Sequence, residues 1–256
     1  MLLTQKKVNK IFLERGNQLP CSFSRKTDST NSLAKKLLQT QKLSNGTVLA
    51  QQQMKGRGRY DRTFLSKKGK GVYMTFVAPY QDEFGSAIGG LCCLAVVDAV
   101  KNLYNVDCTI KWPNDVLFNG KKLCGILPET VVINEKRHIL VGVGVNVNYT
   151  KKDFGYLGEI AVSLLQIIGK KMDTVVLASE ISKNLNEITS EFKQNYSMLL
   201  SRYVDKCETL GKIISVEKDG RIISGIAEKI DDDCSLVILT GDKRQKIAWG
   251  EITLKK

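Results

Sequence analysis

Gly46-Thr47-Val48-Leu49-Ala50-Gln51-Gln52-Gln53 runs into Met54-Lys55-Gly56-Arg57-Gly58-Arg59-Tyr60-Asp61-Arg62, and Gly71-Val72-Tyr73-Met74-Thr75-Phe76-Val77 follows a few residues later. The outer stretches are rich in β-branched and aromatic residues and are bounded by glycine, so both read as strands joined by a glycine- and arginine-rich loop. Glycines let a backbone approach a ligand closely, and guanidinium groups offer paired donors to phosphate or carboxylate. On its own residues the loop reads equally as an anion clamp or as a solvated basic loop.

Working outward, Ser29-Thr30-Asn31 ahead of Ser32-Leu33-Ala34-Lys35-Lys36-Leu37-Leu38 predicts a capped, amphipathic helix. Residues 86–103 are densely apolar and free of proline, which predicts a largely buried helix. Strands are predicted at 109–112, 116–118, 123–127 and 138–147, with Asn119-Gly120 as a two-residue hairpin. Helices at 159–168, stopped by Gly169, and at 175–203 close this part. Beyond Leu210, short strands are punctuated by Asp219-Gly220, Asp231-Asp232-Asp233 and Thr240-Gly241-Asp242, the texture of a small all-β barrel. The expectation is two unequal domains, 1–206 and 207–256.

The chain has 256 residues, 43% hydrophobic and 25% charged, which is a globular composition. Nothing approaches the ~20 apolar residues of a membrane helix, and Met1-Leu2-Leu3-Thr4-Gln5-Lys6-Lys7 lacks a signal-peptide core, so a cytoplasmic protein is expected. Seven cysteines with no Cys-x-x-Cys pair argue against a disulfide framework and a structural zinc site. His138 is the only histidine and reads as a strand-end residue, so chemistry falls to Lys, Arg, Asp, Asn and backbone amides. The formal charge is +13, yet from Cys207 onward nine basic residues face nine acidic ones, so the excess lies wholly before it. That excess reads as a solvated face, with no helix-turn-helix or aromatic RNA-binding signature beside it.

Three further clusters could carry chemistry. In Lys111-Trp112-Pro113-Asn114-Asp115 the proline ends a strand and puts Asn114 and Asp115 in a turn, which serves a ligand or merely seats a core tryptophan. In Lys122-Leu123-Cys124-Gly125-Ile126-Leu127 a glycine would let a ligand lie against the sheet. Gly142-Val143-Gly144-Val145-Asn146-Val147-Asn148 lacks the third glycine of a dinucleotide fingerprint; it reads as a strand with gaps on one face, or as an exposed edge that could pair in a homodimer.

In this order the clusters resemble the biotin–protein ligase family, and the resemblance covers nearly the whole chain from Ser29 onward. The family pattern places a Ser/Thr-Thr-Asn element, a Gln before Gly-Arg-Gly-Arg-x-Gly-Arg-x-Trp, Lys-Trp-Pro-Asn-Asp, Lys-x-x-Gly-Ile-Leu and Gly-x-Gly-x-Asn around one pocket. Here these are Ser29-Thr30-Asn31, Gln53 with the loop from Gly56 to Phe64, Lys111 to Asp115, Lys122 to Leu127, and Gly142 to Asn146. Asp61 stands where the family usually has Gly, and Phe64 where it usually has Trp.

The resemblance implies an α+β fold: a mixed central sheet packed with helices, like the class II aminoacyl-tRNA synthetases, plus a C-terminal SH3-like barrel. It also implies a two-step, MgATP-dependent reaction, in which biotin and ATP give biotinyl-5′-AMP and biotin then passes to a lysine. Ser29, Thr30, Asn31, Gln53, Gly56, Arg57, Gly58, Arg59, Lys122 and Gly125 would hold biotin. Arg57, Arg62, Phe64, Lys111, Asn114 and Asn146 would hold the nucleotide. Lys122, Arg59, Lys111 and Asp115 would be catalytic, with Asp115 also the candidate Mg²⁺ ligand. The implied acceptor is the biotin carboxyl carrier domain of acetyl-CoA carboxylase or a related biotin-dependent carboxylase, steered by charge. Fewer than about 30 residues precede Ser29, too few for the winged-helix domain of many members, so no specific DNA binding is expected. The rival readings are a lipoate–protein ligase, whose family lacks the Gly-Arg-Gly-Arg and Lys-Trp-Pro-Asn-Asp pair, and a basic nucleic-acid-binding module.

Overall fold

A computed structural model describes residues 3–60, 62–218, 221–248 and 250–254; Asp61 and the predicted Asp219-Gly220 turn lie outside the described residues. Seven strands form one mixed sheet: β1 (Cys21–Ser24), β2 (Gly46–Ala50), β3 (Gly71–Pro79), β4 (Thr109–Lys111), β5 (Asp115–Phe118), β6 (Lys121–Ile133) and β7 (Lys136–Asn146). Their order is β1-β2-β3-β7-β6-β5-β4. β1 and β2 run parallel, joined by the helix α2 (Thr30–Gln39), and the other neighbours are antiparallel. As predicted, the glycine- and arginine-rich segment links two paired strands, β2 and β3.

Alternation along β3 divides its residues between two cores. Val72, Met74 and Phe76 belong to the main core, whereas Val77 faces a smaller one beneath Ala34 and Leu38 of α2. The main core is built on α4 (Cys93–Tyr104), whose residues from Cys93 to Val97 are all buried, and on Leu177, Ile181 and Leu185 of α7 (Thr174–Ser190). α1 (Gln5–Glu14) adds Val8 and Phe12 to it.

Three predicted helices are cut differently. The 86–103 helix is two adjoining ones, α3 (Ile88–Leu91) and α4, jointed at Cys92. Of 159–168 only α6 (Leu164–Ile168) is an α-helix; Ala161 is drawn into a parallel bridge with Lys122, and Ser163 opens the helix with a capping box to Gln166. A 3₁₀ turn spans Gly155–Glu159 after the one-turn α5 (Lys151–Phe154). The 175–203 helix bends at Glu191, with φ −111° and ψ 18°, giving α7 and α8 (Phe192–Lys206). No glycine or proline marks that bend; α7 packs on α1 and β3, whereas α8 packs on α3 and β4.

The valine-rich strand is also not an edge. β7 lies between β3 and β6, so its Gly-x-Gly run is the middle of the sheet, and it cannot pair edge to edge with another chain.

The C-terminal strands β8 (Ile213–Lys218), β9 (Arg221–Ile230), β10 (Leu236–Thr240), β11 (Lys243–Ile247) and β12 (Glu251–Leu254) form an antiparallel sheet in the order β11-β10-β9-β8-β12. It shares the main core, to which Ile214, Val216, Leu236 and Ile238 all belong. Trp112, only 2% exposed, is the pin: its backbone N donates to Thr209 Oγ1 at 3.0 Å and its Nε1 to the Cys234 carbonyl at 2.9 Å.

Candidate active site

Register places the site. Across the sheet, Tyr73 pairs with Gly144, Gly144 with Gly125, and Gly125 with Asp115, so one row of neighbours runs over four strands with two glycines at its centre. The next row is Thr75, Gly142 and Leu127. Cross-strand partners share a face, so the missing side chains leave a trough on the α2 side of the sheet. A Cβ on Gly144 would lie 2.6 Å from the Phe64 ring, and one on Gly142 would lie 2.7 Å from Asn31 Oδ1. Phe64 and Asn31 fill the space that the glycines vacate.

A register shift in the β5–β6 pairing completes the trough. Val116 faces Cys124 while Leu117 faces Lys122, so Leu123 is an extra residue. Residues three apart on a regular strand point to opposite faces, and the bulge brings Lys122 back to the face of Gly125. The Lys122 Nζ lies 3.1 Å from where a Gly125 Cβ would stand and 2.7 Å from Asp115 Oδ1. Asn146 holds the strand start, donating from Nδ2 to the Lys122 carbonyl at 3.2 Å.

One wall of the trough is a closed polar net. Gln53 Oε1 accepts from the Thr30 N at 2.8 Å and from Thr30 Oγ1 at 3.1 Å, while its Nε2 donates to Ser66 Oγ at 2.9 Å. Ser29 takes the N-cap position of α2 in extended geometry, yet its hydroxyl makes no capping bond to the helix. That hydroxyl and the helix N-terminus form a donor-rich corner suited to a carbonyl oxygen. Asn31, 3% exposed, accepts from Thr75 Oγ1 at 2.5 Å and donates to Glu129 Oε1 at 2.6 Å.

The loop covers the other side as a small hairpin. Arg57 bridges Thr63, the Phe64 N donates to the Gly56 carbonyl at 2.9 Å and the Gly58 N to the Arg62 carbonyl at 2.7 Å. Gly56 is required by crowding: a Cβ there would come within 2.5 Å of the Phe64 carbonyl and Ser66 Oγ. Each arginine reaches a different wall, Arg57 Nη2 to Glu129 Oε1 and Arg59 Nη1 to Asn114 Oδ1, both at 3.2 Å. Asn114 in turn donates to the Ile126 carbonyl at 2.5 Å. The loop's far end is fixed by the Tyr149 hydroxyl, which donates to the Leu65 carbonyl and accepts from the Lys67 N.

Of the predicted residues, Ser29, Thr30, Asn31, Gln53, Arg57, Phe64 and Gly125 line one cavity, together with Met74, Leu127, Gly142, Val143 and Gly144. Its free volume is about 30 Å³, room for about two waters, so a larger ligand requires Phe64 and the loop to move. Arg59, Asn114, Asp115, Lys122 and Asn146 form the adjoining rim through the contacts above. Lys111 ends β4 directly opposite Asp115, and exposed Arg62 closes the hairpin turn. A wider depression on α1, lined by Gln5, Asn9 and Leu13, involves one helix only and gathers no groups from elsewhere.

Sequence reasoning missed Glu129. Burial opposes its ionisation, but hydrogen bonds from Lys35 and Asn31 and the charges of Lys35 and Arg57 outweigh that and hold its carboxyl below the usual range. The available signal was an acid inside the apolar run Leu127-Pro128-Glu129-Thr130-Val131-Val132. Asp115, the candidate metal ligand, already carries Lys122, and no cluster of three or more His, Cys, Asp or Glu forms among the described residues. One ion-paired carboxylate does not make a resident metal site.

Residues 23–146 match the Biotin/lipoate A/B protein ligase family, and residues 209–255 match the Biotin protein ligase C terminal domain. The chain is 31% identical over 240 residues to the bifunctional ligase/repressor BirA of Bacillus subtilis, covering 88% of this chain and 71% of that one. It is 30% identical over 216 residues to the biotin–[acetyl-CoA-carboxylase] ligase of Mycobacterium tuberculosis, covering 81% and 79%. A solved biotin protein ligase from Aquifex aeolicus, in complex with biotin and ATP, superposes with a TM-score of 0.77 at 26% identity, covering 92% of this chain and 98% of that one.

Proposed function

The chain belongs to the biotin protein ligase family, and on that premise we propose how its own residues carry the reaction. In the first step a biotin carboxylate oxygen attacks the α-phosphorus of ATP, the bond to the β-phosphate oxygen breaks, and biotinyl-5′-AMP and pyrophosphate form. In the second, a lysine ε-amine of a biotin carboxyl carrier domain attacks the acyl carbon, the anhydride C–O bond breaks, and an amide, AMP and a proton result.

One observation carries this reading: a glycine-floored trough leads from the polar corner at Ser29, Thr30 and Gln53 to Lys122. The ureido ring of biotin fits the corner, where Ser29 and the start of α2 offer donors and Gln53 and Asn31 fix the wall. The apolar tail lies over Gly144 and Gly125. Arg57 and Arg59, on the hairpin shaped by Gly56 and Gly58, neutralise the carboxylate and phosphate so that two anions can meet. Lys122 stands where negative charge develops, aimed by Asp115. Phe64 leaves Gly144 and packs on the adenine, with Arg62, Lys111, Asn114 and Asn146 around the nucleotide. Asp115 is assigned to receive the proton of the incoming amine. Mg²⁺ enters with ATP as the MgATP substrate.

We assign 1–206 to the catalytic domain and 207–256 to the C-terminal domain, since α8 ends at Lys206 and the all-β part follows. The acceptor is taken to be the carrier domain of acetyl-CoA carboxylase or a related carboxylase. A cytoplasmic setting is supported by seven free, buried cysteines; no helix among the described residues is long and apolar enough to cross a membrane. With β7 central, a homodimer formed by strand pairing would have to use an edge such as the outer half of β6, with which β5 pairs only as far as Gly125. No specific DNA binding is expected, in keeping with the lack of a helix-turn-helix signature, and oligonucleotide calorimetry checks it.

The deciding experiment is mass spectrometry of a purified carrier domain incubated with the protein, MgATP and biotin, and in parallel with lipoate, because the matched family includes both ligase types. A biotin adduct on one lysine is expected; a lipoyl adduct instead would overturn the assignment.

A further inference from the structure

Glu129 sits midway along β6 at the junction of three parts of the site. Its Oε1 accepts from Asn31 Nδ2 at 2.6 Å and from Arg57 Nη2 at 3.2 Å, and its Oε2 accepts from Lys35 Nζ at 2.5 Å. Asn31 and Lys35 are one helical turn apart on α2, so the same carboxylate ties that helix to β6 and to the loop. One acid between two cations leaves the cavity mouth net positive.

Geometry separates these bonds in kind. The Glu129 side chain is 21% exposed and Lys35 34%, whereas Arg57 is 42% exposed and makes the longest contact. Asn31 has its other polar end committed to Thr75, so the Asn31–Glu129 bond belongs to the wall. The Arg57 bond is the exchangeable one. A guanidinium left without an acceptor would sample many rotamers and lose that freedom when it met a substrate carboxylate.

We propose that Glu129 is a positioning residue for biotin binding: it fixes Asn31 in the wall and pre-aims the Arg57 guanidinium across the cavity mouth, with Lys35 as its supporting cation. Glu129 takes no part in bond making, and its effect on binding runs through Arg57. The inference rests on the ligase reading given above.

Glu129→Gln keeps an acceptor for Asn31 and removes the charge that holds Arg57. Biotin-dependent ATP–pyrophosphate exchange should then show a biotin KM raised about tenfold, with kcat within about twofold and the melting temperature within ~2 °C of the parent. In an Arg57→Ala background the same change should raise KM no further, because residues that act through one another are non-additive. Lys35→Met, which removes the supporting cation, should give a smaller rise of about threefold that also vanishes with Arg57→Ala, and it serves if Glu129→Gln does not fold. Parent-like KM in both variants, or full additivity with Arg57→Ala, overturns the proposal while leaving the ligase reading intact. A parent protein whose exchange does not respond to biotin overturns both.

Discussion

The two sides of the trough are both polar, one neutral and one charged, and differ in how their residues are satisfied. On the wall, Thr30, Gln53 and Ser66 bond to one another over 2.8–3.1 Å and Asn31 accepts from Thr75 at 2.5 Å, with Thr30 and Asn31 only 4% and 3% exposed. On the rim, Arg57 and Arg59 each reach across the mouth through one 3.2 Å contact. Buried, fully partnered groups hold one geometry, whereas a half-exposed ion pair such as Arg57–Glu129 is worth only ~1 kcal/mol or less, and Arg59 meets only the neutral amide of Asn114. The wall is preformed for recognition; the rim is held loosely enough to let a ligand in and close over it.

Removing the rim's reacting cation should have the largest effect. Lys122→Ala is expected to cut biotinyl-adenylate formation by about 10²–10³-fold, the usual cost of losing one transition-state donor, while the protein stays folded. Parent-like pyrophosphate release would end that role for Lys122. On the wall, Gly142→Ala pushes a methyl to within 2.7 Å of Asn31 Oδ1 and 3.1 Å of the Leu127 carbonyl. Overpacking there should lower unfolding free energy by ~1–3 kcal/mol in denaturant titration, whereas rim substitutions leave it unchanged.

Arg59→Ala sharpens the contrast from the opposite direction. It should leave melting unaltered and speed the loss of biotinyl-5′-AMP about tenfold, equivalent to ~1.4 kcal/mol, measured by filtration of the preformed complex. Unchanged retention would move the closure to Arg57 alone.

The smallest effect lies outside both regions. His138 is 8% exposed, and burial, with Lys136 nearby, holds its pKa below the usual value. The unfolded chain therefore binds this proton first, so its contribution to stability is present above about pH 6.5 and is lost as pH falls below that. His138→Gln should flatten that part of the stability–pH curve; an unchanged slope would assign it to other groups.

Local signals made much of this protein legible. β-Branched runs, the Asn119-Gly120 hairpin, with φ of 49° and 73°, and the glycine after α6 were readable because each depends on a residue's own backbone preferences. The helix boundaries at Cys92, Ser163 and Glu191 were not, since tertiary packing overrode an unbroken apolar pattern. Trp112 shows the same limit inside one motif: Lys111-Trp112-Pro113-Asn114-Asp115 joins a core pin to two rim residues, and spacing does not separate them.

By itself the sequence determined which residue types the chemistry can use, the two-strand setting of the Gly-Arg-Gly-Arg loop, and a family resemblance carried by four clusters in order. Only the tertiary structure decided that Gly144 and Gly125 adjoin in one row, that a bulge at Leu123 turns Lys122 toward Asp115, and that Glu129 joins Asn31, Lys35 and Arg57. Those facts depend on strand register, and a one-residue slip in register would send every one of these side chains to the opposite face.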